Sequence, residues 1–157
     1  PDEREVAQRR ETIWLPYHQK LEEELTRLLA LHGRVVLWDA HSIRSVVPRF
    51  FEGRLPDLNF GTANGQSCDP ALSERLMKTA SANKDYSSVL NGRFKGGYIT
   101  RHYGRPEQNI HAVQLEMAQC CYMEEQWPFE YKEEAARNIQ PLIEALLRDA
   151  LAFATES

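Results

Sequence analysis

Asp39 and His41 close an apolar run at residues 35–38, and Arg44 follows the histidine. Such a run is typical of a buried strand, on which side chains two positions apart point to the same side. Histidine is the commonest neutral metal ligand, and a neighbouring carboxylate can fix its tautomer. The guanidinium of Arg44 can bind a carboxylate in bidentate fashion, through two parallel hydrogen bonds. The segment therefore predicts a metal site beside a carboxylate-binding site; the alternative is an Asp–His pair that only caps a strand.

Glu116 is the second candidate, because it interrupts an apolar segment at residues 112–117. A glutamate inside a buried strand is costly unless it is paired or has a chemical role. Its possible roles are metal ligand, general base or partner in an ion pair, and the alternative is a strand-edge residue that faces solvent. Beside a divalent metal, a carboxylate can take a proton from water and pass it to a leaving amine.

Other residues carry weaker signals. Arg49 lies beyond Pro48, and a looser group of arginines follows later in the chain. Gly96-Gly97 predicts a tight turn or a close backbone approach, but it lacks the spacing of a nucleotide-binding loop. Cys120-Cys121 predict buried thiols, since no zinc-ligand spacing is present. The sequence has no GxSxG motif, which argues against a serine hydrolase.

Composition bounds the class of protein. The 157 residues are enough for one α/β domain with its own core, and 42% are apolar. A net charge of −4 without a basic block argues against nucleic acid as the main partner. No stretch is apolar enough to predict a membrane span. Three cysteines without a disulfide pattern favour a reducing, cytoplasmic location.

The elements that position these residues follow from apolar spacing and from capping residues. Residues 2–31 predict a helical segment that Pro16 kinks or divides and Gly33 ends. Residues 48–70 predict a long loop, because glycine, proline and asparagine are frequent there. The other predicted elements are strands at 35–39, 96–103 and 112–117 and helices at 70–82 and 131–155, the last with Pro141 inside it. This alternation predicts a layered α/β domain over residues 1–157.

Four segments together resemble the N-formylglutamate amidohydrolase family, in its C-terminal portion. They are residues 37–45, 55–62, 91–104 and 111–117, and the resemblance extends over essentially the whole chain. It implies a mixed sheet flanked by helices, similar to zinc carboxypeptidases (phosphorylase/hydrolase-like), and incomplete here. The implied reaction is hydrolysis of N-formyl-L-glutamate to formate and L-glutamate, the last step of one histidine-degradation route.

The resemblance also implies roles for individual residues. His41 matches the later of two metal-ligating histidines, with zinc the expected metal, and Glu116 matches the catalytic glutamate. Asp39 would orient the imidazole of His41 without binding the metal itself. The candidates for binding the substrate carboxylates, with Arg44 first, are Arg44, Arg49, Arg93 and Arg101.

The chain departs from the family in one respect. The family's other two metal ligands, a histidine and an acid, would lie upstream of Pro1, and here only His18 and His32 precede Asp39. A catalytic zinc normally has three protein ligands. We therefore expect an inactive fragment whose partner is the missing N-terminal half. Two alternatives remain: a related metallohydrolase of N-acyl amino acids or peptide termini, and a non-catalytic domain that binds acidic ligands.

Overall fold

A four-stranded mixed sheet organises the chain, for which a computed structural model describes residues 1–156. The strands are β1 (Val35–Ile43), β2 (Leu58–Gly61), β3 (Ser88–Leu90) and β4 (Ile110–Ala118). Their order is β1-β4-β2-β3, so β1 lies at an edge. β1 runs parallel to β4, β4 antiparallel to β2, and β2 parallel to β3. The predicted α/β class with a mixed sheet is confirmed.

Helices cover both faces of this sheet. They are α1 (Glu3–Arg9), α2 (Leu15–His32), α3 (Pro70–Ala82), α4 (Tyr98–Tyr103) and α5 (Glu133–Thr155). α3 and α5 pack on one face over the larger core, and α2 and α4 pack on the other over a smaller one. Within residues 1–156, no helix is both long enough and apolar enough to cross a membrane.

Two predicted helix ends are confirmed. Gly33 adopts a left-handed conformation (φ 75°) and its N–H donates to the Leu29 carbonyl, which closes α2. The Asp69 carboxylate accepts a hydrogen bond from the Ala71 N–H at the start of α3. Pro70 occupies the first helical position, where its missing N–H leaves no donor unsatisfied.

The two internal prolines are accommodated without a break. A π-helical turn at Arg10–Trp14 joins α1 to α2 directly before Pro16. The wider turn suits a proline, which lacks an N–H and clashes with the carbonyl four residues earlier. Pro141 lies within the continuous helix α5, which begins two residues later than the predicted Tyr131.

Three predictions about the elements are wrong. The predicted strand at 96–103 is the helix α4: β-prone residues are helical there because Ile99 and Tyr103, one turn apart, pack into the smaller core. The predicted loop at 48–70 contains β2, which the surrounding glycines and prolines conceal. The first strand does not end at Asp39 but continues to Ile43, because it pairs with β4 along its whole length.

Alternation along β4 separates the two faces of the sheet. Val113 and Leu115 belong to the larger core, whereas Ile110 belongs to the smaller one. Gln114 and Glu116 therefore share the face of Ile110. They lie farther along the strand than the residues that contact α2 and α4, toward the carboxyl end of β1 and β4.

Candidate active site

The pairing of β1 with β4 assembles the site. In the parallel register His41 is opposite Glu116, and Asp39 is opposite Gln114. Opposed residues of paired strands lie on the same face of the sheet. Two segments that are far apart in the sequence thus present an imidazole and two carboxylates near the carboxyl end of β1 and β4.

Asp39 orients the imidazole of His41. Nε2 of His41 lies 3.0 Å from Oδ1 of Asp39, a distance suited to a donated hydrogen bond. This contact leaves Nδ1 as the ring nitrogen for an external ligand. The His41 side chain is 50% exposed, whereas that of Asp39 is 14% exposed. The other carboxylate oxygen of Asp39, Oδ2, is buried and has no hydrogen-bond partner among the described residues.

Glu116 is a buried carboxyl group, 7% exposed. Burial raises its pKa, and the negative charge of Asp39 raises it further, while His41 and a hydrogen bond from Gln114 oppose the shift. A carboxyl group whose pKa is displaced toward neutrality by burial is suited to taking and returning a proton. The prediction that the glutamate lies inside a buried strand is confirmed.

Two further polar side chains, which the sequence did not reveal, border Glu116. Gln114 donates from Nε2 to Oε2 of Glu116 at 3.2 Å. Asn59 of β2 is opposite Glu116 and donates from Nδ2 to the Glu116 carbonyl at 3.1 Å. Oδ1 of Asn59 is buried without a hydrogen-bond partner in the described part of the chain. Neither residue type has a characteristic chemistry, so only its position inside a buried strand could have signalled it.

The loop before α4 packs closely on β2. A Cβ added to Gly61 would lie 2.4 Å from the Gly96 nitrogen, so only glycine fits at that position. Gly96 itself has φ +106°. The Gly97 N–H donates to Oε1 of Gln114 at 2.6 Å. The predicted close backbone approach at Gly96-Gly97 is confirmed.

The four candidate arginines are not hydrogen-bonded to the centre of the site. Within residues 1–156, none of them hydrogen-bonds to Asp39, His41 or Glu116. Arg101 donates to the Gly96 carbonyl at 2.6 Å, which connects it to the loop. The guanidinium of Arg49 lies 5.7 Å from the ring of Phe50, and Arg44 and Arg93 are exposed.

A second cluster of possible ligands lies nearby. Of the described residues, only Asp57, Cys120 and Cys121 bring three candidate ligand atoms within 4.8 Å of one another. Arg54 already binds this cluster: its Nη2 lies 2.6 Å from Oδ1 of Asp57 and 3.2 Å from Sγ of Cys120. Ser87 donates its N–H and its hydroxyl to Oδ2 of Asp57. The cluster is satisfied by protein groups, so we assign it a structural role.

The three cysteines are free. Cys121 is buried, as predicted, and burial raises the pKa of its thiol well above the usual range. The prediction is wrong in part for Cys120, which is only partly buried and contacts the half-exposed side chain of Arg54.

The residues at the candidate site fit one side of a metal centre rather than a complete one. His41 offers an imidazole that a carboxylate has oriented, as metal-ligating histidines usually require. The unpartnered Oδ2 of Asp39 is a further acceptor near it. Among residues 1–156, however, His41 and the neighbouring carboxylates do not form a three-ligand group.

Comparison with known proteins places the chain in a family. A family model described as N-formylglutamate amidohydrolase matches residues 1–123. The chain is 58% identical over 144 residues to N-formylglutamate deformylase of Pseudomonas aeruginosa, covering 92% of this chain and 54% of that protein. It is 56% identical over 146 residues to the deformylase of Pseudomonas putida, covering 93% of this chain and 55% of that protein.

A solved structure gives the same result. The crystal structure of N-formylglutamate amidohydrolase from Ralstonia eutropha JMP134 matches with a TM-score of 0.79 at 27% identity, over 93% of this chain and 54% of the other. The chain thus spans about half the length of the relatives it matches. The residues matched by the family model include His41, Glu116 and all four segments of the resemblance, and the chain belongs to the N-formylglutamate amidohydrolase family.

Proposed function

We propose that this chain forms the His41–Glu116 side of the active site of an N-formylglutamate deformylase. The reaction is hydrolysis of N-formyl-L-glutamate to formate and L-glutamate. The observation that carries the proposal is the strand register, which sets a carboxylate-oriented histidine opposite a buried glutamate. The two Pseudomonas relatives are named N-formylglutamate deformylases, which supports the same substrate.

His41 is the proposed metal ligand of this chain. Asp39 holds its ring by the contact at Nε2, which reduces the freedom lost when the imidazole binds a cation. A divalent metal, zinc by expectation, would supply polarisation of the formyl carbonyl and a lower pKa for water. The remaining ligands are proposed to come from the part of the relatives that this chain does not cover.

Glu116 is the proposed general base and acid. It takes a proton from the attacking water as the new C–O bond forms at the formyl carbon. It then gives that proton to the nitrogen of glutamate as the C–N bond breaks. The raised pKa of Glu116, caused by its burial, makes the carboxyl group a better proton acceptor than an ordinary exposed glutamate.

The arginines are the proposed carboxylate-binding groups. Arg44 is the first candidate, because it follows directly after β1, and Arg49 lies on the loop beyond it. Arg93 and Arg101 flank the Gly96-Gly97 loop in the sequence, and Arg101 donates a hydrogen bond to the Gly96 carbonyl of that loop. Bidentate hydrogen bonds from an arginine to a substrate carboxylate would fix the substrate and convert binding energy into orientation.

The test uses a chimera that joins this chain to the part of the Pseudomonas aeruginosa deformylase outside the aligned region. We expect it to bind one divalent ion and to hydrolyse N-formyl-L-glutamate, while this chain alone does neither. His41→Ala should remove both the ion, measured by elemental analysis, and turnover. His102→Ala, which alters an exposed histidine of α4, is the matched control and should retain both.

Three results would contradict parts of the proposal. An unsubstituted chimera without metal and turnover favours a non-catalytic domain for acidic ligands. Faster hydrolysis of N-acetyl or peptidyl glutamate in a substrate panel favours a related metallohydrolase. Turnover by the isolated chain would show that the segment is sufficient by itself.

A further inference from the structure

Gln114 connects Glu116 to the loop that borders the site. It is 6% exposed and lies two residues before Glu116 on the same face of β4. Its Oε1 accepts from the Gly97 N–H at 2.6 Å, and its Nε2 donates to Oε2 of Glu116 at 3.2 Å. One amide therefore contacts both the loop and the proposed base.

The orientation of this amide is fixed by chemistry. A backbone N–H can only donate, so the atom of Gln114 that faces Gly97 must be the carbonyl oxygen. The NH₂ group must then face Glu116, where the carboxylate accepts. The opposite orientation would set two donors against each other at Gly97 and two acceptors at Glu116.

The loop is a firm support for this contact. Its backbone lies against Gly61, where a side chain would collide with it. The Lys95 carbonyl accepts from the Ala63 N–H at 2.6 Å, and the Gly96 carbonyl accepts from Arg101. Gln114 is thus held on one side by a loop that is itself anchored at several points.

We propose that Gln114 is the positioning residue for Glu116: it binds Oε2 and leaves Oε1 as the oxygen that exchanges the proton. This inference rests on the proposed function of Glu116 as the base. At metal sites, loss of a side chain that orients a metal ligand typically costs about 10- to 100-fold in affinity or activity, and we expect a loss of similar size here. The Gly97 contact extends this positioning to the loop that also binds Arg101.

Two substitutions separate the two contacts. Gln114→Glu is nearly isosteric and retains an acceptor for the Gly97 N–H, but it replaces the donor to Glu116 with a carboxylate oxygen. Gln114→Met has similar length and removes both contacts. Ser67→Ala is the matched control, because it removes a buried hydrogen bond to the Ala112 carbonyl of the same strand.

The first measurement is NMR on this chain. We expect the carboxyl-carbon resonance of Glu116 to move in both Gln114 variants, and hydrogen exchange at the Gly97 amide to accelerate only in Gln114→Met. Ser67→Ala should leave both signals unchanged. A Glu116 resonance that stays in place in both Gln114 variants would overturn the proposal.

The second measurement is kinetics on the chimera. Both Gln114 variants should lower kcat by about 10- to 100-fold with little change in KM, since the contact acts on the base and not on the substrate. Wild-type kcat in both variants would overturn the inference. An inactive unsubstituted chimera would instead count against the proposed function, while the NMR result would still decide whether Gln114 holds Glu116.

Discussion

Two buried carboxylates near the end of β4 have different environments: Glu116 lies on β4, and Asp57 lies directly before β2. Asp57, whose carbonyl accepts from the Ala118 N–H, receives hydrogen bonds from Arg54 and Ser87 at both carboxylate oxygens. Burial alone would raise the pKa of Asp57, but these donors outweigh it and the pKa falls. Glu116 receives one side-chain donor, from the neutral amide of Gln114, and its pKa rises.

The comparison shows that this fold can stabilise a buried charge by surrounding it with hydrogen-bond donors. The Asp57 cluster is defined as Asp57, Arg54, Ser87, Cys120 and Cys121. There the hydrogen bonds tie the segment before β2 to the residue before β3 and to the segment after β4. Around Glu116, by contrast, acceptor oxygens of Asp39 and Asn59 have no hydrogen-bond partner within residues 1–156. Buried polar groups that lack hydrogen-bond partners in the protein are expected where a site binds ligands.

The largest expected effect separates the two carboxylates by activity. In the chimera, Glu116→Gln should lower kcat/KM by about 10²- to 10⁴-fold, because it removes the proton acceptor while retaining the shape of the side chain. Metal content should remain unchanged. The matched variant Asp57→Asn should retain kcat among folded molecules, and equal kinetic losses in both variants would abolish the distinction.

The second effect separates them by stability. Asp57→Asn should lower the free energy of unfolding of this chain by about 2–4 kcal/mol, because charged acceptors for Ser87 and Arg54 are lost in a mostly buried setting. Urea unfolding measures the change. Asp85→Asn, on an exposed aspartate close in sequence to Ser87, is the control and should have little effect. A negligible loss for Asp57→Asn would remove its structural role.

A smaller effect identifies which donor matters at Asp57. The Arg54 side chain is 52% exposed, so its ion pair is screened by water. We expect Arg54→Met to cost about 0.5–1 kcal/mol, much less than Asp57→Asn. A cost equal to that of Asp57→Asn would assign the stabilisation to the ion pair and not to Ser87.

The smallest effect is a pair of opposite pH dependences. Because its folded-state pKa is lowered, Asp57 contributes stability above its unfolded pKa of about 3.8, and this contribution is lost as the pH falls through the folded value. Because its folded-state pKa is raised, Glu116 contributes most below about 4.5, and its contribution is lost as the pH rises through the folded value.

The measurement is urea unfolding of this chain across that acidic range. Relative to the wild type, Glu116→Gln should gain stability as the pH rises and Asp57→Asn should lose it. Curves that shift in the same direction for both variants would contradict the assigned environments.

The sequence revealed the chemistry of the site better than its surroundings. Asp39 and His41 could be placed on one side of a strand by alternation alone, and Glu116 was visible as a charge inside an apolar segment. Their meeting depends on the parallel register of β1 with β4, a long-range pairing that local patterns do not encode. The family resemblance, and not the spacing, supplied the expectation that they act together.

Other parts were hidden for physical reasons. Asn59 lay in a predicted loop, because a four-residue strand beside glycine and proline has no visible period. α4 was predicted as a strand because its residues are β-prone. It is a helix because its tertiary packing outweighs that local preference. Gln114 is an ordinary polar residue until Gly97 and Glu116 are brought to its two ends.

The edge position of β1 has a consequence for handling the protein. Along the outer side of this nine-residue strand, the backbone has no strand partner in residues 1–156. Such an edge is a template on which another extended segment can add by main-chain hydrogen bonds. The strand that carries His41 is therefore also where we expect concentrated solutions of the chain to begin aggregating, so dilution and added lysines on that edge should improve its solubility.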